Sequence, residues 1–152
     1  MQGRLRVHRA SERGFTLVEV LVVIILMGIV FAIASSTWFG AIEGRRVDSA
    51  TNQLASDLRH AHSRATNRLA DQTVTLTAGN SEYTVPGGVT EDLDDSDEDI
   101  VSVAAASTIV FKGDGSAQIT GANPITVRAT NNPGNNHTIL INIVTSEIKV
   151  VP

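Results

Sequence analysis

An apolar run near the N-terminus constrains the fold of this chain more than any other feature. Val20 to Ile42 covers 23 residues without an acidic or basic side chain, which makes about 34 Å of helix at about 1.5 Å per residue. A hydrocarbon core is about 30 Å thick, so this segment is long enough to span a membrane. Glu19 stands directly before it. Because an unpaired carboxylate deep in a membrane costs on the order of 2.5 to 3.5 kcal/mol, we expect Glu19 to have a partner.

The residues around Glu19 form a specific motif. Gly14-Phe15-Thr16-Leu17-Val18-Glu19 follows a short leader with four arginines, Arg4, Arg6, Arg9 and Arg13. This arrangement resembles the class III signal of type IV pilins and type II secretion pseudopilins. The resemblance implies that a prepilin peptidase cuts after Gly14 and that Phe15 becomes the N-methylated N-terminus. It also implies that Glu19 pairs with the N-terminal amine of a neighbouring subunit during assembly.

A second pattern follows the apolar run. It consists of Leu54, Leu58, Ala61, Arg64 and Ala65, and later of Ile109-Val110-Phe111 and Gly115. This order is similar to the GspH/FimT branch of the same family, the minor pseudopilins and minor pilins. Many relatives carry a proline eight residues beyond the position of Gly28, where this chain has Ser36. We therefore expect no proline kink in the anchor.

Charge and cysteine content limit the possible location and chemistry of the chain. Cysteine is absent, which excludes a disulfide framework and thiolate metal ligands. Arginines before the apolar run favour a cytoplasmic N-terminus, so we expect a single pass through a bacterial inner membrane. The globular part would then lie in the periplasm or in an extracellular filament. From Phe15 onward the chain has 8 basic and 15 acidic residues, a net charge of −7.

Two other interpretations of the N-terminal segment stay open. Ala32-Ile33-Ala34 could serve as a signal peptidase site, which would release a secreted domain. Against this, the charge-free run continues past Ala34, whereas a signal-peptide core usually has about 7 to 15 residues. A plain membrane anchor is the other interpretation, in which Glu19 only complements the dipole of its own helix.

The rest of the chain predicts an α+β fold. Apolar residues recur every three or four positions, which indicates one face of an amphipathic helix; they are Val47, Ala50, Leu54, Leu58, Ala61, Ala65 and Leu69. We expect a leader at 1–14, a transmembrane helix at 15–42, an amphipathic helix at 43–70 and a β-rich domain at 71–152. The amphipathic helix would pack on an antiparallel sheet region.

Residue alternation and turn residues place the strands. We expect them at 73–77, 82–85, 100–103, 108–112, 117–120, 125–129, 138–144 and 148–151. Whether they form one sheet or two stays open. Seven acidic residues between Glu91 and Asp99 predict a solvated loop.

Candidate chemistry is sparse. His60 and His62 lie about 200° apart around a helix, too far for one metal, and His137 is expected alone in a loop. The acidic segment lacks the glycine and the later glutamate of a known calcium loop, which leaves only weak calcium binding open. Gly113-Asp114-Gly115 is expected to be a turn and not a dinucleotide site, because no third glycine follows. We expect no catalysis and no cofactor.

Arginines on the amphipathic helix suggest one alternative function. Arg59, Arg64 and Arg68 could contact DNA phosphates, and FimT-type minor pilins are associated with DNA uptake. The net charge of −7 favours pairing with neighbouring subunits or anionic headgroups instead. The resemblance therefore implies a structural subunit of a type II secretion pseudopilus or a type IV pilus. Its expected partners are prepilin peptidase, other pilin or pseudopilin subunits and the inner membrane.

Overall fold

A computed structural model describes residues 15–94 and 100–151 of the chain. Its first element is the helix α1 (Leu17–Arg68). The chain divides between Trp38 and Phe39 into two compact units.

The N-terminal unit consists of the apolar part of α1. Its large apolar side chains are exposed around the helix, as the successive residues Leu21, Val22 and Val23 illustrate, because neighbouring residues point about 100° apart. A helix that is apolar on all sides is typical of a membrane span or of the centre of a helix bundle. By length and composition, this helix can cross a membrane.

The C-terminal unit contains the amphipathic part of α1 and nine strands. The predicted apolar stripe from Val47 to Ala65 is buried throughout, which confirms the predicted packing of this helix on β-structure. Leu69 is the exception, since 81% of its surface is exposed. Including Leu69 in the stripe was wrong, because the helix ends before it.

The end of α1 has a defined geometry. Leu69 has a left-handed backbone with φ of 49°, and the Ala70 N–H donates to the Ala65 carbonyl at 3.2 Å. This six-residue return is the Schellman motif that commonly terminates helices. Gly113 packs against this end so closely that a Cβ there would lie 2.6 Å from the carbonyl carbon of Leu69.

The strands form two antiparallel sheets, which settles the question that the sequence left open. The first sheet has the order β3-β2-β1-β5-β6 and the second has the order β4-β7-β8-β9. Their bounds are β1 (Gln72–Leu76), β2 (Glu82–Val85), β3 (Val89–Asp92), β4 (Val101–Val103), β5 (Ser107–Phe111), β6 (Ala117–Gly121), β7 (Ile125–Ala129), β8 (Asn136–Ile141) and β9 (Ile148–Val151). The α+β prediction is confirmed.

One strand and one histidine differ from the prediction. The solvated loop predicted from Glu91 was wrong at its start, because Glu91 and Asp92 belong to β3, which pairs with β2. His137 was predicted in a loop but lies on β8. Both errors have the same physical origin: polar residues within a strand interrupt the apolar alternation that marks a half-buried strand.

One flank of α1 is fixed to the first sheet. The Gln53 Nε2 donates to the Asp92 carbonyl at 3.0 Å, and the buried Tyr83 hydroxyl donates to the Asp57 carboxylate. Burial, and next the hydrogen bond to Asp57, raise the pKa of Tyr83 above its ordinary value. These contacts tie the helix to β2 and β3.

The other flank of α1 is fixed to the second sheet. Arg59 donates from its guanidinium to the Ile148 carbonyl on β9 at 3.2 Å. Asp48 contacts His137 on β8, with 2.7 Å between the carboxylate oxygen and Nε2. The amphipathic part of α1 therefore has polar contacts with both sheets.

Candidate assembly site

The motif before the apolar run forms the start of α1. Leu17 is the first helical residue, and the Val20 N–H donates to the Thr16 carbonyl at 3.2 Å. The Thr16 hydroxyl accepts from the Glu19 N–H at 3.2 Å. Thr16 is therefore the N-cap, and Glu19 occupies the third helical position, where a capping box has its glutamate.

The structure describes two of the three expected functional residues of this motif, Phe15 and Glu19. Gly14, the expected cleavage position, lies outside the described residues. Phe15 precedes the helix, and 83% of its surface is exposed. Glu19 is exposed in the first turn, where its negative charge is favourable beside the positive end of the helix dipole. Among the residues that the structure describes, no ion pair engages its carboxylate.

This arrangement leaves Glu19 able to accept a positive group. Its backbone N–H is bound to Thr16, so the position of the residue in the first turn is fixed, whereas its carboxylate is exposed. A cation brought to the start of this helix would meet a carboxylate at the margin of an apolar surface. The sequence contains a signal for this cap, because Thr16 is followed three residues later by Glu19. The interpretation of Glu19 as a complement to its own helix dipole did not consider this signal.

The three candidate DNA-contacting arginines do not share one face. At about 100° per residue, Arg64 and Arg68 lie about 40° apart, whereas Arg59 lies about 140° from Arg64. All three residues are exposed. Arg59 also donates to the Ile148 carbonyl. Thus the structure brings two of the three together and uses the third within the domain.

The histidines are placed as structural or surface residues. His60 is exposed, and the His62 ring packs against Phe111 with 5.7 Å between centroids. Within residues 15–94 and 100–151, no three histidine or acidic side chains are grouped to hold a metal.

The predicted turn after β5 occurs where expected. Phe111 is fully buried, and Gly115 has φ of 89°, a left-handed value that favours glycine. The Lys112 N–H donates to the Ser116 carbonyl, and Ser116 donates through its hydroxyl and its N–H to Asp114. These bonds lower the pKa of Asp114. In the Phe111–Gly115 pattern, the first residue is thus buried in the core and the second permits a tight turn.

The described part of the acidic segment contains one buried charge. Asp94 is buried, with only 6% of its side chain exposed, and pairs with Arg46 of α1 at 3.6 Å. It also accepts the Ile100 N–H at 2.8 Å. The prediction of a solvated position was therefore wrong for Asp94, because this carboxylate has a cation and a backbone donor. Residues 95–99 of the predicted loop lie outside the described part of the chain.

Comparison with known proteins gives two family matches. Residues 9–35 match the prokaryotic N-terminal methylation motif. Residues 50–145 match the model of the type II transport protein GspH. No significant match was found to a curated protein or to a solved structure. The first match covers the start of α1, and the second covers most of the C-terminal unit.

Proposed function

The chain belongs to the GspH family of type II transport proteins, and we propose that it is a minor pseudopilin or pilin subunit. It would be a structural component of a type II secretion pseudopilus or a type IV pilus. The observation that carries this proposal is the order of features in one chain: a methylation motif, an exposed apolar helix and a GspH domain.

The proposed maturation uses the residues at the start of α1. Prepilin peptidase cuts after Gly14, and the new amine at Phe15 is methylated. The helix from Leu17 anchors the subunit in the inner membrane as a single pass. The cytoplasmic leader is basic, so the domain after the anchor lies on the periplasmic side or in the extracellular filament.

The proposed assembly step uses Glu19. As the subunit leaves the membrane, its apolar helix joins the helices of other pilin or pseudopilin subunits. Its carboxylate meets the positive N-terminus of a neighbour in a water-poor environment. Each charge alone would be costly there, and the pair satisfies both. The role is structural and involves no catalysis and no cofactor.

DNA binding is the weaker alternative. It retains three exposed arginines, Arg59, Arg64 and Arg68, of which Arg59 also donates to a carbonyl on β9. A salt-dependent titration of the protein with duplex DNA tests it. Phosphate contacts would give an affinity that falls steeply with salt, and a joint change of Arg64 and Arg68 to alanine would flatten that slope.

Intact-mass spectrometry of the protein purified from membranes tests the proposal. We expect a chain that begins at Phe15 and carries a methyl group. Replacing Gly14 with leucine should leave the full-length precursor in the membrane. An N-terminus at Ser35 would contradict the proposal and establish cleavage by signal peptidase.

A further inference from the structure

The edges of the two sheets differ in how they are covered. At the edge of the first sheet formed by β6, the Ala117 N–H donates to the Ile143 carbonyl at 3.1 Å. At the edge of the second sheet formed by β4, Val103 exchanges backbone hydrogen bonds with Gly79 and Asn80. The remaining edges, β3 and β9, each have one carbonyl bound by a side chain of α1.

The β3 edge is the more open of these two. All four residues of β3 are exposed, whereas β9 buries Ile148. Residues of an antiparallel strand alternate in the direction of their backbone groups. The Leu93 N–H donates to Ser81, on the side of β2, and the Asp92 carbonyl points outward to Gln53. By this alternation the N–H and carbonyl of Thr90 and the N–H of Asp92 face outward.

The surroundings of this edge are acidic. Glu91 and Asp92 are exposed on β3, and Glu82 lies opposite Asp92 on β2. A groove of about 630 Å³ runs between β3 and α1, lined by Arg46, Ser49 and Gln53 and by residues 90–94. Arg46, the one basic residue in this lining, pairs with Asp94.

We infer that the outer edge of β3 is a docking site for an extended, basic segment of another protein chain. The segment adds to the first sheet as a further antiparallel strand and pairs with the N–H and carbonyl of Thr90 and the N–H of Asp92, since the Asp92 carbonyl already accepts from Gln53. Strand addition to an exposed edge obtains its affinity from such main-chain hydrogen bonds. Its side chains alternate between the two faces, so those on the face of α1 lie beside Glu91 and the groove.

Charge decides which kind of strand fits. Pairing of β3 with β3 of a second copy would bring Glu91 and Asp92 of both strands close together, and like charges across an antiparallel pair are destabilising. Lysine or arginine at alternate positions of the partner lies on one face of the sheet, where it would instead face Glu91 beside the groove. The acidic side chains thus discourage self-association of the edge and favour a cationic partner. This inference is independent of the role proposed for Glu19.

The test uses the full chain in detergent micelles and a synthetic peptide with the sequence Thr-Lys-Val-Lys-Thr-Lys-Val-Lys. Nuclear magnetic resonance would follow amide exchange while calorimetry measures affinity. We expect the peptide to slow exchange at Thr90 and Asp92 by about tenfold or more, because bound amides exchange only when they open. A matched peptide with glutamate in place of lysine should have no effect.

Two variants separate the backbone contribution from the charge. Thr90→Pro removes one outward N–H at an edge position that tolerates proline, and it should weaken binding about tenfold, the effect of one hydrogen bond. Glu91→Gln keeps the fold and should weaken binding about threefold at low salt, whereas Glu147→Gln, an exposed control, should not. Equal binding of both peptides, unchanged exchange at Thr90 and Asp92, or wild-type affinity in Glu91→Gln would overturn the inference.

Discussion

The two parts of α1 have the same backbone conformation but opposite surfaces. In the N-terminal unit, Leu26 is 57% exposed and its neighbours are apolar on every side. In the C-terminal unit, Leu54 is fully buried, and polar residues such as Asn52 and Ser56 occupy the other side of the helix. The first part can contact lipid or other helices all round, whereas the second has one face for its own sheets.

Because of this difference, the two parts of α1 depend on different surroundings for their apolar contacts. The amphipathic part obtains its apolar contacts within the C-terminal unit, where Leu54, Leu58 and the sheet residues share one core. Among the residues described, the apolar part has no comparable core. Its stability therefore depends on a membrane or on the helices of other subunits.

The largest expected effect comes from the same substitution in each part. Leu54→Ala should lower the free energy of unfolding of the domain by about 2–5 kcal/mol, because it leaves a cavity in the core. Leu26→Ala is the matched control and should change it by no more than about 0.5 kcal/mol. Denaturant titration of the purified protein in detergent, followed by circular dichroism, measures both. Equal losses of unfolding free energy in the two variants would show that the two parts of α1 do not differ in their apolar contacts.

A smaller effect is expected at the contact between α1 and β2. Tyr83→Phe removes the hydrogen bond to Asp57 and should lower the free energy of unfolding by about 1–3 kcal/mol. The same titration measures this change. Because the contact lies in the C-terminal unit, the loss should appear in domain unfolding and not in membrane extraction of the protein.

The contact also predicts a pH dependence of stability. The pKa of Tyr83 is raised in the folded state, first by burial, whereas an unfolded tyrosine ionises near pH 10. The contribution of Tyr83 is therefore complete below about pH 10 and is lost as the pH rises further. Tyr83 is the only tyrosine, so Tyr83→Phe should flatten this alkaline loss. A parallel loss of stability in both proteins would contradict the assignment.

The sequence predicted the elements whose periodicity reflects burial. Leu54, Leu58 and Ala61 recur at helical spacing and are buried, and Val74 and Leu76 alternate with exposed threonines in β1. Periodicity predicts such elements because one face must leave water. The end of the helix was less predictable, since Leu69 adopts a left-handed conformation that usually favours glycine or asparagine.

Features that depend on distant partners were not predictable. β3 contains two acidic residues, which are uncommon in strands, and forms only because β2 lies beside it. Asp94 is buried because Arg46, far away in sequence, lies next to it. For the assembly site, the sequence indicated Glu19 and Phe15 through the motif. The N-cap by Thr16 follows from spacing but was recognised only in the structure.

The assembly of Glu19 variants in cells tests the role proposed for this carboxylate. Glu19→Val removes a carboxylate that costs on the order of 2.5 to 3.5 kcal/mol at depth, so membrane insertion should become easier. Glu19→Gln removes the charge and nearly preserves the shape, and Glu82→Gln in the C-terminal unit is the control. Cells expressing each variant are fractionated, and sheared filaments and crosslinks to partner pilins are quantified. For both Glu19 variants, we expect processed protein in the inner membrane but little in filaments or crosslinks. Wild-type amounts in filaments and crosslinks would show that the Glu19 carboxylate has no role in assembly.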